Sequence, residues 1–261
     1  MYNEVATART PALIIYLLDG SGSMAQVIPG NDGTFLRKID HVNSYLCLLL
    51  SAMVNRSMKG AGMLSPRYRI CLIAYSTQTK ELFPDSDIVT IEKWATSGVP
   101  LLQPTDQTDT AGAFKKAKAI LEREIPKLPP GSPAPFVCHL TDGVYTFDDP
   151  EPVAQEIMQM STADGPVLVE NIYIANNLTN SPVGNVCQWP GVVAESELTN
   201  EYAKKLFRMS SPIPRSLQQY MAEQNYAISE NAKLLFPATK PQLIEIAFTI
   251  SGLTSALPSI S

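Results

Sequence analysis

The sequence predicts an α/β fold: a doubly wound, mostly parallel central sheet with one antiparallel edge strand and helices on both faces. Three observations predict it. Residues 12–18, Ala-Leu-Ile-Ile-Tyr-Leu-Leu, are apolar at every position. Such a run without alternation suits a strand buried on both faces, as in the middle of a parallel sheet. Further apolar runs recur at 67–77, 136–141 and 167–175, separated by segments with helical spacing of their apolar residues. Strands that alternate with helices build a doubly wound sheet. The third observation is a repeated ending: the run at 12–18 enters Asp19, and the run at 136–141 enters Asp142-Gly143. At 261 residues the chain fits a single domain over 1–261.

The elements follow in order. Residues 1–11 read as an N-terminal extension before the first strand. Residues 25–36 contain Pro29-Gly30-Asn31-Asp32-Gly33 and read as an inserted loop. Residues 37–55 read as a helix, with Ile39, Val42, Leu46, Leu49, Leu50 and Met53 on one face. A strand over 67–77 follows, with Thr79 to Phe83 as its hairpin partner. The segment with Trp94, Pro100 and Pro104 reads as irregular, and a helix begins near Thr108 with Phe114, Ala117, Leu121 and Ile125 inward. Phe136 to Thr141 is the next strand, and Asp149 and Pro150 open the next helix. Val167 to Ala175 is a strand. Residues 176–231 read as an irregular, helical insertion with short helices at 201–209 and 214–225. A last strand at 233–236 and a last helix from about 239 complete the chain, and its final residues read as frayed.

Composition narrows the function. Net charge is −5, and the chain has no basic cluster of the kind that binds nucleic acid or an anionic membrane. Residues 1–11 carry Glu4 and Arg9 and do not resemble a signal peptide. Cys47, Cys71, Cys138 and Cys187 form no CxxC pair, and the first three lie in apolar segments where a buried thiol is expected. These features lead to the expectation of a cytoplasmic protein.

The chemistry gathers after the first strand. Asp19, Ser21 and Ser23 offer one carboxylate and two hydroxyls, spaced by Gly20 and Gly22. These are hard oxygen donors of the kind Mg²⁺ or Mn²⁺ prefers, and the glycines permit a tight turn. Thr108 opens a helix, and Asp142 ends a strand, so all three loops can share one edge of the sheet. As isolated turn residues these side chains would be unremarked, because Asp, Ser and Gly are common in turns. Together, in order and on the expected elements, they are specific.

Asp19-Gly20-Ser21-Gly22-Ser23-Met24, Thr108 and Thr141-Asp142-Gly143 together resemble the von Willebrand factor A (vWA) family over residues 12–175. The resemblance implies a metal-ion-dependent adhesion site made of Asp19, Ser21, Ser23, Thr108 and Asp142. It implies Mg²⁺, with Mn²⁺ or Ca²⁺ as alternatives of the same oxygen chemistry. It further implies hydroxyl ligation by the two serines and the threonine, the aspartates acting largely through bound water, and a coordination position filled by an Asp or Glu of a protein partner. Without secretion signals, the chain is similar to intracellular bacterial vWA proteins of the tellurium-resistance TerY group. That likeness implies an adaptor or scaffold working beside kinases, phosphatases or AAA+ ATPases.

The alternative is a metal-dependent hydrolase or phosphatase using the same acidic site. A strand ending in Asp19 also resembles the haloacid dehalogenase phosphatases, which place a second acid where this chain has Ser21. No Gly-x-Ser-x-Gly elbow is present, and His41 and His139 are poorly placed for a triad. His139 is expected to be a hydrogen-bonded core residue. Asp106 and Asp109 are expected to serve the helix that follows, and Trp94 and Trp189 to be packing anchors. The sequence therefore favours a binding module over an enzyme, with specificity set by the surrounding loops at 25–36 and 176–231.

Overall fold

The computed structural model describes residues 1–29, 34–83, 86–175 and 178–253. β1 (Ala12–Asp19) lies at the centre of the sheet, and every residue of it is buried. A short antiparallel hairpin, β2 (Val27–Pro29) and β3 (Phe35–Arg37), leads into helix α1 (Lys38–Ser57). A minimal pair, β4 (Met58–Lys59) and β5 (Met63–Leu64), turns the chain into β6 (Tyr68–Tyr75). The sheet edge follows as β7 (Thr79–Glu81), β8 (Val89–Thr90) and the short helix α2 (Ile91–Ser97). α3 (Thr110–Glu124) crosses to β9 (Phe136–Thr141), and α4 (Glu151–Gln159) leads to β10 (Leu168–Tyr173). Then come α5 (Glu201–Arg208), α6 (Arg215–Glu223), β11 (Leu235–Pro237) and α7 (Pro241–Leu253).

The main sheet runs β11-β10-β9-β1-β6-β7, with β8 also paired to β6. β11, β10, β9, β1 and β6 are mutually parallel, and both β7 and β8 run antiparallel to β6. The expected antiparallel edge at Thr79 is present, and β8 adds a second short segment to it. From β1 the chain first adds β6 on one side, then returns to add β9 on the other. That reversal opens a crevice at the carboxyl ends of β1 and β9, where open sheets of this kind hold ligands. α1 and α7 pack together on one face, where the Tyr16 hydroxyl lies 3.9 Å from Met53 Sδ. α3 and α4 cover the other, where Phe114 meets the His139 ring edge-on at 5.1 Å. Leu13, Ile14, Ile15, Leu17 and Leu18 are fully buried between these layers. Each contributes about 1.5–3 kcal/mol of transfer free energy, an upper value because the unfolded chain is partly collapsed.

Some expectations shift. Residues 25–36 are not simply a loop: the described parts pair as β2 and β3, while residues 30–33 lie outside the described residues. The segment around Trp94 forms α2, with Trp94 fully buried as an anchor. Cys71 and Cys138 are buried, but Cys47 is exposed. α1 is two-sided: Ser44, Cys47, Leu48 and Ser51 face solvent, and helical periodicity outweighs the local apolar run. Within 178–231, α5 packs on α4 and β10. Residues 176 and 177, and the expected frayed end at 254–261, lie outside the described residues. No helix among the described residues is long and apolar enough to cross a membrane.

Candidate metal centre

The first turn is built by its own backbone. Asp19 ends β1, and its Oδ1 accepts a hydrogen bond from Ser21 N at 2.9 Å. This local closure bends the chain back over the strand end, the habit of Asp in turns. Ser21 is fully buried, and its Oγ lies 3.2 Å from Ser23 Oγ. Ser23 sits in a short 3-10 turn, Gly22–Ala25, and is half-buried. Gly22 N donates to the Asp106 carbonyl at 2.9 Å. A Cβ on Gly22 would stand 2.9 Å from that same oxygen, so the close approach needs glycine.

Asp106 is the residue at which the Thr108 loop bends, and its φ is 51°, a left-handed conformation that Asp tolerates better than most residues. Gly20 also joins this loop: its carbonyl accepts from Thr105 N at 2.8 Å. Thr108 is buried two residues before α3, and its carbonyl accepts from Thr146 N at 2.9 Å. That bond joins the Thr108 loop to the Asp142 loop. Asp109 caps α3, accepting from Gly112 N at 2.8 Å, as expected of a carboxylate at a helix start.

Asp142 follows β9 directly and is buried. Its Oδ1 accepts from Val144 N at 3.1 Å, while Gly143 at φ 84° turns the chain away. Thr141 fastens the two aspartate strands: its Oγ1 donates to Asp19 Oδ2 at 2.6 Å and accepts from Gly143 N at 2.9 Å. The structure thus ties all three loops that carry Asp19, Ser21, Ser23, Thr108 and Asp142 into one cluster, with Thr108 linked through backbone contacts.

The cluster is rich in negative charge. Burial, and next the charge of Asp142, push the Asp19 carboxyl up to about 6, against the hydrogen bonds from Thr141 and Ser21. Burial disfavours the charged form of this carboxyl, and a second acid nearby adds to that. A divalent cation fits this donor set: hydroxyl and carboxylate oxygens are its preferred ligands, and the serine oxygens are spaced as neighbours on one ion require. Among the described residues, no group of three or more His, Cys, Asp or Glu side chains is placed to hold a metal. A site here must therefore draw on Ser and Thr hydroxyls.

Sequence reasoning missed one member. Lys38, the first residue of α1, is 6% exposed and reaches Asp142 Oδ2 at 2.8 Å and Gln26 Oε1 at 2.7 Å. Its backbone N also donates to the Gln26 carbonyl at 2.9 Å. The available signal was a lysine opening an apolar helix, at the end whose dipole disfavours cations.

His139 serves a different cluster, as expected. Asn171 Nδ2 donates to Ser210 Oγ at 2.9 Å, so Asn171 Oδ1 faces His139 Nδ1 at 2.8 Å. Nδ1 then carries the proton, and Nε2 accepts from the Tyr75 hydroxyl at 2.6 Å. Burial lowers the imidazole to about 4, against the Asn171 hydrogen bond.

No family model matches the chain, and no curated protein matches it in sequence. Several solved structures are similar to it. The type V pili tip protein Mfa5 of Porphyromonas gingivalis shares 20% identity over 59% of this chain and 23% of that chain, with a TM-score of 0.38. A manganese-loaded TRAP protein of Plasmodium vivax shares 16% over 63% of this chain and 58% of that one, with a TM-score of 0.36. An aerotolerance-related membrane protein of Bacteroides fragilis, with multiple mutations to serine, shares 14% over 93% and 98%, with a TM-score of 0.41. This chain spans less than two thirds of the length of the Mfa5 and TRAP chains. Strand order and register, rather than these distant likenesses, define the fold.

Proposed function

We propose that this chain is a vWA-type module that binds a protein partner through a divalent cation. Ser21, Ser23 and Thr108 would hold the ion through hydroxyls, with Asp19 and Asp142 supporting it, directly or through water. One observation carries the reading: two buried carboxylates and a pair of serine hydroxyls 3.2 Å apart converge at the sheet's switch point. When bound, the ion supplies an electrophilic centre for a carboxylate from outside. The chain's own residues do the rest. Thr141 and Ser21 N orient the Asp19 carboxylate. Gly22 and Asp106 hold the serine turn against the Thr108 loop. Half-buried Ser23 marks the side open to solvent.

Mg²⁺ is the expected ion in a cell, with Mn²⁺ and Ca²⁺ as substitutes of the same oxygen chemistry. The partner offers an Asp or Glu. An adaptor of the intracellular TerY kind, beside a kinase, phosphatase or AAA+ ATPase, is the proposed setting. The reading as a binding module rather than a hydrolase is supported by His139. Its two ring nitrogens are engaged in the core by Tyr75 and Asn171, so it does not serve as a base at the cluster.

Affinity capture from source-cell lysate tests the reading. It uses wild type in Mg²⁺, wild type in EDTA, and Asp19→Ala in Mg²⁺, with circular dichroism to establish that the variant folds. A partner retained only by the first sample is the expected result. Equal retention in all three would sink the metal bridge. Phosphatase turnover by wild type, lost in Asp19→Ala, would replace it with the hydrolase alternative.

A further inference from the structure

We infer that Lys38 is a tethered cation that competes with the divalent ion for Asp142, so that metal must displace an ammonium to complete the site. The inference rests on the metal reading of the cluster and specifies how that site is regulated.

A buried lysine needs a reason. Lys38 is 6% exposed and stands at the start of α1, where the helix dipole opposes positive charge. A buried ammonium is costly unless it is paired and hydrogen-bonded. It is both here: Asp142 Oδ2 lies at 2.8 Å and Gln26 Oε1 at 2.7 Å. Gln26 is placed by the same turn that carries Ser23, since its N donates to the Ser23 carbonyl at 3.1 Å. The β2–β3 hairpin therefore begins and ends at the cluster, and its far end delivers Lys38.

The two aspartates are treated unequally. Asp142 has an ammonium in contact. Asp19 is held by Ser21 N and by Thr141. An ion that needs Asp142, directly or through water, must work against the Lys38 charge beside it. Two cations a few ångströms apart repel strongly at the low effective dielectric of a buried site. A divalent ion can win because it carries twice the charge and meets several oxygens at once. The lysine would thus weaken the resting affinity and keep the Asp142 loop ordered without metal.

Mn²⁺ binding, followed by the loss of the free-ion paramagnetic resonance signal, tests this directly. Lys38→Met keeps the stem and removes the charge. It is expected to bind Mn²⁺ about tenfold tighter or more, within the usual range of coupling between two sites. Gln26→Ala, at an exposed position, keeps the ammonium but removes one of its holders; a smaller gain is expected. This variant keeps the test decisive should Lys38→Met fail to fold. Lys115→Met, which loses an exposed lysine paired with Asp148, is expected to leave affinity unchanged. Equal or weaker Mn²⁺ binding by both Lys38→Met and Gln26→Ala would overturn the competition. So would an equal gain in Lys115→Met, which would reduce the effect to net charge. Absence of Mn²⁺ binding in wild type and every variant overturns the metal reading itself, and this inference with it.

Discussion

Two buried polar clusters lie near the carboxyl ends of the central strands, and they close their hydrogen bonds differently. In the first, Asn171, His139 and Tyr75 pass hydrogen bonds along a line, each donor meeting an acceptor, with Ser210 anchoring Asn171 from outside the strand. No net charge is left over, and the imidazole is held neutral. In the second, Asp19 and Asp142 bring two carboxylates together with hydroxyls and a single lysine. There two acids share one lysine, and burial, followed by the charge of Asp142, raises the Asp19 carboxyl. A satisfied polar network behaves as part of the core. The second cluster, which opens to solvent at Ser23, is the one to which the proposed function assigns a ligand. Thr141 and Tyr75 lie at the seam between them: Thr141 serves Asp19, and Tyr75, paired in register with Asp19, serves His139.

The largest effect expected from this contrast is on stability. His139→Ala removes the middle of the closed line, leaves Asn171 Oδ1 without its imidazole donor and takes one partner from the Tyr75 hydroxyl. It should cost about 3 kcal/mol or more in denaturant unfolding. Metal affinity, measured under conditions where the variant is folded, should change far less. A large loss of metal binding with little loss of stability would erase the distinction between the clusters.

Asp19→Ala should show the reverse. It is expected to weaken Mn²⁺ binding about a hundredfold, the scale of an orienting carboxylate in metal sites. Calorimetric titration reads this directly. Its cost in stability should be smaller than that of His139→Ala, because a carboxylate pushed up by burial is itself unfavourable when ionised.

The closed cluster should also govern part of the acid response. The His139 imidazole is lowered to about 4 in the fold, against about 6.5 in an unfolded chain. Between those values the unfolded state binds the extra proton. Stability from this residue is therefore full above about pH 6.5 and is lost as pH falls toward 4, by about 3 kcal/mol in all. The difference in unfolding midpoint between wild type and His139→Gln, measured across that range, should shrink as pH falls. A constant difference would mean that the imidazole is not held neutral by burial.

Gly22→Ala should have the smallest effect. Its Cβ would meet the Asp106 carbonyl at 2.9 Å, and the serine turn must shift away from the Thr108 loop. About 1–2 kcal/mol of stability is expected to be lost, with metal binding weakened several-fold as Ser23 moves relative to Thr108. Unchanged metal binding would show that the turn and the Thr108 loop act independently.

Much of this was legible in the chain itself. The apolar run at 12–18 needs no context to read as a central strand, because only a strand covered on both faces can bury every residue. The spacing of Asp19, Ser21 and Ser23 carries its own logic, since the turn closes through the local contact of Asp19 with Ser21 N. Asp142 follows a strand and Thr108 precedes a helix, as expected, and the bond from Thr146 N to the Thr108 carbonyl ties the two loops together. Other features depend on residues far apart in sequence. The pairing of Lys38 with Asp142 spans 104 positions, and that of His139 with Asn171 spans 32. Register across β9 and β10 decides the second, and the return of the β2–β3 hairpin to the cluster decides the first. Local apolar patterning thus determined the fold class, while the spacing of the Asp19 turn and the resemblance to the vWA family supplied the candidate donors. Only tertiary packing decided which carboxylate received a counter-ion, because charge balance in a buried site depends on distance in space and not along the chain.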